Sequence, residues 1–371
     1  MNIFYDENIP YAEEFFSDFG KLIPFAGREL SASQVKDADV LLVRSITQVN
    51  ERLLKDNRRI KFVGTATIGI DHVDTEYLAK RGVYFTNAPG CNAISVAEYV
   101  LSALLIVAKR TNLDLSDIRV GIVGAGNTGT RLAEKLDAVG IKYCLCDPLL
   151  AEAGDVRPFT CLEDVLTCDV ISLHVPLTRD GLHPTYHLLD ETRLSQLSNQ
   201  QILINACRGE VVDNNALLAL KKGEVGPHLV LDVWEDEPNV LTPLIDYCQL
   251  TTAHIAGYSL EGKSRGTEML YQALSKQCQL KADKQLTQFL PTATFAPVTA
   301  KSGDKFSDLS QYVWQVYDVR RDDQIFRQQL QQQGFDHLRK NYPVRREFSA
   351  MTIESEHNAL TAELAALGFN I

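Results

Sequence analysis

Residues 119–131 read RVGIVGAGNTGTR. Val120 to Val123 have strand character and run into Gly124-x-Gly126-x-x-Gly129, after which the pattern turns helical. That order has a physical basis. The first glycine makes the tight turn, the second lets the backbone approach a pyrophosphate, and the third lets the helix pack close to the strand. The helix N-terminus then offers free N–H groups and a partial positive charge to the phosphates. Glycine turns are common, so the flanks decide the reading. KYCLCDP follows as a second strand that ends in Asp147, 23 residues after Gly124. At that distance a carboxylate accepts from the ribose hydroxyls of a dinucleotide. Pro148 and Leu149 follow it rather than Arg or Lys, which favours NAD over NADP.

The alternation extends in both directions from this loop. Upstream, NIFYDE, KLIPFA, DVLLVRS, KFVGTAT and VYFTNA read as strands, with EEFFSDF, ERLLKD and TEYLAKRG as helices between them. AISVAEYVLSALLIVAKR, residues 93–110, is a long helix apolar around most of its surface, the pattern of a helix buried between two layers or two domains. Downstream, RVGIVGAG, KYCLCD, DVISLHVP, QILINA, HLVLDV and QLTTAH read as six strands, and a helix runs from about Ser259 to Lys281. Beyond residue 285 the chain turns rich in Gln, Arg and Asp; YPVRREFSAMTI is expected as a strand and SEHNALTAELAALGF as a helix. The expectation is two Rossmann-like, doubly wound parallel α/β domains plus a small C-terminal α+β module. The boundaries are 1–93 with 258–284 for the first domain, 94–257 for the nucleotide domain, and 285–371 for the module.

Composition narrows the classes. A chain of 371 residues with 45% hydrophobic and 23% charged content has ample material for two or three cores. The net charge of −11 argues against nucleic acid and against an anionic membrane surface as partners. MNIFYDENIP has two acids and no basic stretch, so no signal peptide is expected. The longest apolar run, Tyr99 to Ala108, is ten residues and too short for a bilayer. Eight scattered cysteines without a CxxC pair read as reduced thiols in a cytoplasmic protein.

Three further motifs fall at the C-terminal ends of expected strands, where open α/β sheets bind ligands. They are ACRG (206–209), LDVWEDEP (231–238) and TAHIAG (252–257). Arginine is seldom buried without an anion. Hydride transfer from an alcohol carbon needs a base for the hydroxyl proton and a cation for a substrate carboxylate. His254 suits the first task at neutral pH, with Glu237 fixing its tautomer. Arg208 suits the second, because its fork grips a carboxylate with two parallel bonds. Glu235 and Asp236 read as solvated loop charges, and Asp232 as a candidate to orient the nicotinamide amide. His72 and His174 lie at strand ends near the expected site; His228, His337 and His357 read as surface or core residues. His183 and His187 have metal-ligand spacing, but Pro184 lies inside the pair, no glutamate follows His183 and no third ligand is evident nearby, so no metal is expected.

These motifs carry a family resemblance. TATIGIDHVD, NAPGCNAISVAEY, VGIVGAGNTG, NACRGEVVDNNAL, LDVWEDEP and TAHIAGYS occur in the order found in D-isomer-specific 2-hydroxyacid dehydrogenases and cover about residues 60–260. The resemblance implies Arg208, Glu237 and His254 as the catalytic trio. It implies Gly124, Gly126, Asn127, Thr128, Gly129, Asp147, Ala206, Cys207, Asp232 and Gly257 at NAD, and Ser45, Thr67 and Tyr258 at the substrate. Two positions depart from the pattern: Ala253 stands where most members have proline, and Cys207 where a hydroxyl or aliphatic residue is usual. YDENIP, VRSITQVN and AGYSLEGKSRGTEM match one branch of the family more closely. That branch implies a small phosphorylated hydroxy acid as substrate and a homodimer formed through the C-terminal domain. For the phosphate, Arg44 is one candidate ligand and the pair Arg345 and Arg346 the other, although the latter two read better as solvated or paired with Glu347 or Glu354. Another member of the family, of phosphoglycerate or hydroxypyruvate type, is the alternative within the class, and an NAD-sensing interaction protein with an idle trio is the alternative outside it.

Overall fold

In a computed structural model, which describes residues 1–296, 298, 304–353 and 360–371, the strands pair in two sheets, and every pairing between strands is parallel. The chain divides into two compact units, Met1–Asn92 with Ser259–Thr292, and Ala93–Tyr258 with Ala293–Ile371. In the first, β1 (Asn2–Asp6), β2 (Lys21–Phe25), β3 (Val40–Val43), β4 (Phe62–Thr65) and β5 (Tyr84–Thr86) lie in the order β2-β1-β3-β4-β5. Both β3 and β4 are buried throughout, as expected for strands covered on both faces. The expected helix after residue 258 spans Leu260–Gln277, and Ser259 caps it by accepting from Gly262 N at 2.8 Å. Leu270, Tyr271 and Leu274 of that helix are buried in a cluster with Phe15, Phe16 and Phe62.

The second unit holds β6 (Arg119–Val123), β7 (Lys142–Cys146), β8 (Val170–Leu173), β9 (Ile202–Asn205), β10 (His228–Leu231) and β11 (Cys248–Thr251), ordered β11-β10-β9-β8-β6-β7. Each sheet reverses its order once, at β1/β3 and at β6/β8. Such a switch point opens a crevice outside the carboxyl ends of the strands. Ala93–Thr111 is one helix, and its residues from Ser95 to Ala108 are all buried. Its all-round apolarity has a structural cause. One side packs on the Asn127–Val139 helix, and another meets the C-terminal segment, where Ser102 donates to Tyr317 O at 2.9 Å. No helix among the described residues is long and apolar enough to cross a membrane.

The C-terminal segment differs from expectation in its secondary structure. Lys305–Val316, Arg320–Gln333 and Phe335–Lys340 are helices, and Thr361–Ala366 is a short one. The expected strand over YPVRREFSAMTI does not form; Phe348–Ala350 is a 3₁₀ turn, and one isolated bridge joins Thr352 to Asn370. His357 and Glu354 lie outside the described residues. Local alternation suggested a strand, but buried charge holds the segment instead. Arg345 donates to Ala256 O at 2.9 Å and Ser95 O at 2.6 Å, and its guanidinium lies 3.4 Å from the Tyr317 ring centroid. Phe348 N donates to Glu98, whose carboxylate pairs with Lys135 at 3.3 Å. Burial pushes the Glu98 carboxyl up to about 7. Arg345 is therefore neither solvated nor available to a phosphate. Removing one member of such a network leaves uncompensated buried charge, so Arg345→Ala is expected to cost about 3–5 kcal/mol. Urea unfolding of the two proteins checks this; an unshifted midpoint would show that the network carries no net stability.

Candidate active site

The glycine loop is built as its sequence requires. Gly124 has φ 91°, and a Cβ there would lie 2.6 Å from His174 O; a Cβ on Gly129 would lie 2.0 Å from Gly124 O. Gly126 is different. It is exposed, caps the Asn127–Val139 helix, and a Cβ on it would meet nothing within 4 Å. The chain itself gives no steric reason for glycine there, whereas a pyrophosphate resting on the helix N-terminus does. Asn127 is exposed and Thr128 half-buried beside it. Asp147 accepts from Ala125 N at 2.9 Å and from Leu150 N at 3.1 Å, so the carboxylate is fixed against the loop. These residues fit a dinucleotide. Arg157, which sequence reasoning passed over, lies within electrostatic reach of Asp147 but is paired with Asp155 at 2.6 Å.

The trio sits at the ends of three neighbouring strands, β9, β10 and β11. Asn205, the last residue of β9, shapes the first turn: its Nδ2 donates to Arg208 O at 2.9 Å, and its Oδ1 accepts from Cys207 N at 3.2 Å. Gly209 follows because a Cβ there would lie 1.9 Å from the Trp234 backbone. This close approach sets the Arg208 turn against the start of the WEDEP loop. Trp234 N donates to Glu237 Oε1 at 2.9 Å, and Glu237 Oε2 lies 2.8 Å from His254 Nδ1. Nδ1 is thereby taken as the donor, and Nε2 is left with no partner among the described residues. The Arg208 guanidinium donates to Cys207 O at 2.6 Å and has no carboxylate partner among the described residues. Both His254 and Glu237 are part-exposed, with side chains 28% and 18% accessible.

Asp232 supports this arrangement from beneath. It is buried and accepts from Thr252 Oγ1 at 2.6 Å, Ile255 N at 2.7 Å and Ala256 N at 3.0 Å. The carboxylate thus anchors the loop that carries His254, which itself has φ 55° and donates its N–H to Asp232 O at 2.6 Å. Cys207 is buried, and burial pushes its thiol up to about 11; Ala206 and Gly257 line the same loops half-buried. Tyr258 accepts from Arg339 Nη2 at 3.2 Å and packs edge-on against Tyr342. Sequence reasoning missed Arg339, because a basic residue at a helix end reads locally as a solvated charge.

Other residues separate from the trio. Glu235 is not a solvated loop charge: it pairs with His187 at 2.5 Å and accepts from Asn214 N at 3.0 Å, tying two loops together. His187 lies with Asp213 and Glu235, their ligand atoms within 4.8 Å of one another, while Asp213 caps a helix by accepting from Ala216 N. His183 pairs with Glu152 at 2.7 Å. His174 follows β8 beside the glycine loop, and burial pushes its imidazole down to about 4. In the first unit, His72 bonds Thr65 Oγ1 at 2.9 Å, which in turn lies 2.7 Å from Thr67 Oγ1. Thr67 also donates to Gly69 O at 2.9 Å, whereas the Ser45 hydroxyl is exposed and makes no bond among the described residues.

A glycine loop for a dinucleotide, with a carboxylate-held histidine and an arginine on neighbouring strand ends, is the equipment of a nucleotide-dependent dehydrogenase. Residues 106–256 match the model of the D-isomer specific 2-hydroxyacid dehydrogenase NAD binding domain, and residues 289–368 match a domain of unknown function (DUF3410). The chain is 57% identical over 391 residues to an erythronate-4-phosphate dehydrogenase of Colwellia psychrerythraea, with 100% of each chain covered. It is 50% identical to the enzyme of the same name from Tolumonas auensis, covering 100% of this chain and 99% of that one. Among solved structures, D-lactate dehydrogenase from Aquifex aeolicus in complex with NAD and lactic acid is 27% identical with a TM-score of 0.59, covering 75% of this chain and 96% of that one. The NAD-dependent formate dehydrogenase of Staphylococcus aureus, 23% identical with a TM-score of 0.56 and covering 75% and 96%, shares the fold. The chain belongs to the D-isomer specific 2-hydroxyacid dehydrogenase family.

Proposed function

We propose that this protein oxidises 4-phospho-D-erythronate to 2-oxo-3-hydroxy-4-phosphobutanoate with NAD, a step in pyridoxal 5'-phosphate biosynthesis. The full-length likeness to erythronate-4-phosphate dehydrogenases supports the substrate. The single structural observation that carries the chemistry is the 2.8 Å contact between His254 Nδ1 and Glu237, which leaves Nε2 for a substrate hydroxyl. Bound NAD supplies the acceptor for the C2 hydride. Arg208 holds the substrate carboxylate and polarises the adjacent oxygen. His254 Nε2 takes the hydroxyl proton, and Glu237 stabilises the imidazolium that results. Asp232 keeps the histidine loop in register, and its remaining lone pairs suit the nicotinamide amide. Ser45, Thr67 and Tyr258 serve the substrate in this reading. The test is a panel of 2-hydroxy acids with and without a terminal phosphate, followed by NADH absorbance. Fastest turnover of 3-phosphoglycerate or glycerate, or no turnover at all, would reject it.

For the cofactor, Gly124, Gly126, Asn127, Thr128 and Gly129 hold the pyrophosphate, and Asp147 the adenosine ribose, with Ala206, Cys207 and Gly257 alongside. Asp147→Ala removes a charged acceptor, a loss of roughly 1.5–3 kcal/mol, so KM for NAD should rise about tenfold or more. The preference for NAD over NADP should shrink with it, because the carboxylate repels a 2′-phosphate. Asp147→Asn, which keeps an acceptor for Ala125 N, separates charge from loop support. An unchanged NAD-to-NADP ratio in both variants would remove Asp147 from the ribose. A homodimer formed through residues 285–371 and a cytoplasmic location complete the proposal. Sedimentation at twice the chain mass supports the first, and a monomer at micromolar concentration contradicts it.

A further inference from the structure

The first unit has its own switch point, between β1 and β3, and Arg44 is the residue that follows β3. The acid at the end of β1, Asp6, accepts from Asn8 N at 2.9 Å through Oδ1, and its buried Oδ2 has no hydrogen-bond partner among the described residues. Arg44 is half-buried and has no ion-pair partner among the described residues. The next strand end lies alongside: Ala66 N donates to Val43 O at 2.9 Å. Across Ala66 runs the Leu260–Gln277 helix, so close that a Cβ on Gly266 would lie 3.0 Å from Ala66 O. Lys263 is three residues before Gly266 and therefore on the same face of that helix, one turn nearer its N-terminus. Arg44, Thr67 and Lys263 thus come from three adjoining segments at the carboxyl end of one sheet.

The electrostatics agree with that placement. Lys263 is half-buried, and burial together with the neighbouring Arg44 guanidinium pushes its ammonium down to about 8. Two cations held near each other and partly out of water repel, and an anion between them reverses the sign of the interaction. A carboxylate would neutralise one charge. A phosphomonoester carries close to two negative charges and three acceptor oxygens, and both arginine and lysine serve as its ligands. The positive end of an 18-residue helix adds to the same field.

We propose that Arg44 and Lys263 form the subsite for the substrate's terminal phosphate, and so set the preference for a phosphorylated over an unphosphorylated hydroxy acid. This rests on the hydroxy-acid oxidation proposed above. It also separates the two arginine candidates: Arg345 is committed to main-chain carbonyls and a tyrosine face, whereas Arg44 is not.

The experiment compares Lys263→Gln, Lys263→Arg and Arg44→Gln with the unmodified protein on 4-phosphoerythronate and on erythronate. Each glutamine variant should raise KM for the phosphorylated substrate about tenfold or more, the loss of one charge-assisted bond. KM for NAD and kcat/KM for erythronate should stay within about twofold, the scatter that a distant change allows. Lys263→Arg should recover part of the loss. Calorimetry with inorganic phosphate is run in parallel on the same proteins. If the unmodified protein fails to oxidise 4-phosphoerythronate, the functional reading falls, and phosphate binding alone decides the subsite. Phosphate bound by the unmodified protein and lost in both glutamine variants supports it. Equal impairment on both substrates, or phosphate binding unchanged in the variants or absent from the unmodified protein, overturns it.

Discussion

His254→Ala protein should bind NAD as the unmodified protein does and turn over substrate about a hundredfold to ten-thousandfold more slowly, the range for losing a general acid–base group. The histidine sits on a loop held by Asp232, and the nucleotide loop is held by Asp147, so the change removes a proton acceptor without disturbing either scaffold. Glu237→Gln is a subtler test. The amide can still accept from Nδ1, but it cannot stabilise the imidazolium, so the loss should be smaller and the rate-limiting pKa lower. NAD binding by fluorescence and single-turnover rates separate the two effects. Near-normal single-turnover rates in His254→Ala would mean that another group takes the proton.

Arg208→Lys retains the charge and loses the fork. A bidentate grip contributes two charge-assisted bonds, and losing one costs roughly 1.5–3 kcal/mol, or on the order of tenfold to a hundredfold in kcat/KM. The turn itself should survive, because it is fixed by Asn205 bonding to main-chain atoms and by Gly209 against Trp234, not by the guanidinium. Arg208→Ala should be worse, since the polarising charge is lost as well. Steady-state kinetics on the lysine variant are the check. A lysine variant that matched the unmodified protein in both rate and substrate constant would show that no bidentate contact is made.

How much of the fold and site is legible in the sequence depends on whether the signal is local. Strands such as ILIN and VLLV announce themselves because both faces are buried, and the glycine loop because its backbone demands are strict. Arg208, Glu237 and His254 stood out because each follows such a strand. What local pattern lacked was the identity of distant partners. Glu235 looked like one more charge in WEDEP, yet His187, 48 residues away, holds it. Lys263 in LEGKSRG shares the helix face of Thr267, Leu270 and Leu274, but nothing local names what that face meets; the packing of the helix over Ala66 places it beside Arg44. YPVRREFSAM alternated like a strand, and the bonds that Arg345 makes to Ser95 and Ala256, 250 and 89 residues away, keep it from becoming one.

The central step of the proposed reaction is one transfer, in which a hydride leaves C2 of a 4-phosphorylated hydroxy acid while His254 takes the hydroxyl proton. Incubating the purified protein with NAD and 4-phosphoerythronate carrying deuterium at C2, then weighing the reduced nucleotide by mass spectrometry, tests it directly. NADH heavier by one deuterium in the unmodified protein, with none formed by His254→Ala, is the predicted result. Unlabelled NADH, or labelled NADH formed at the same rate by the variant, would contradict it.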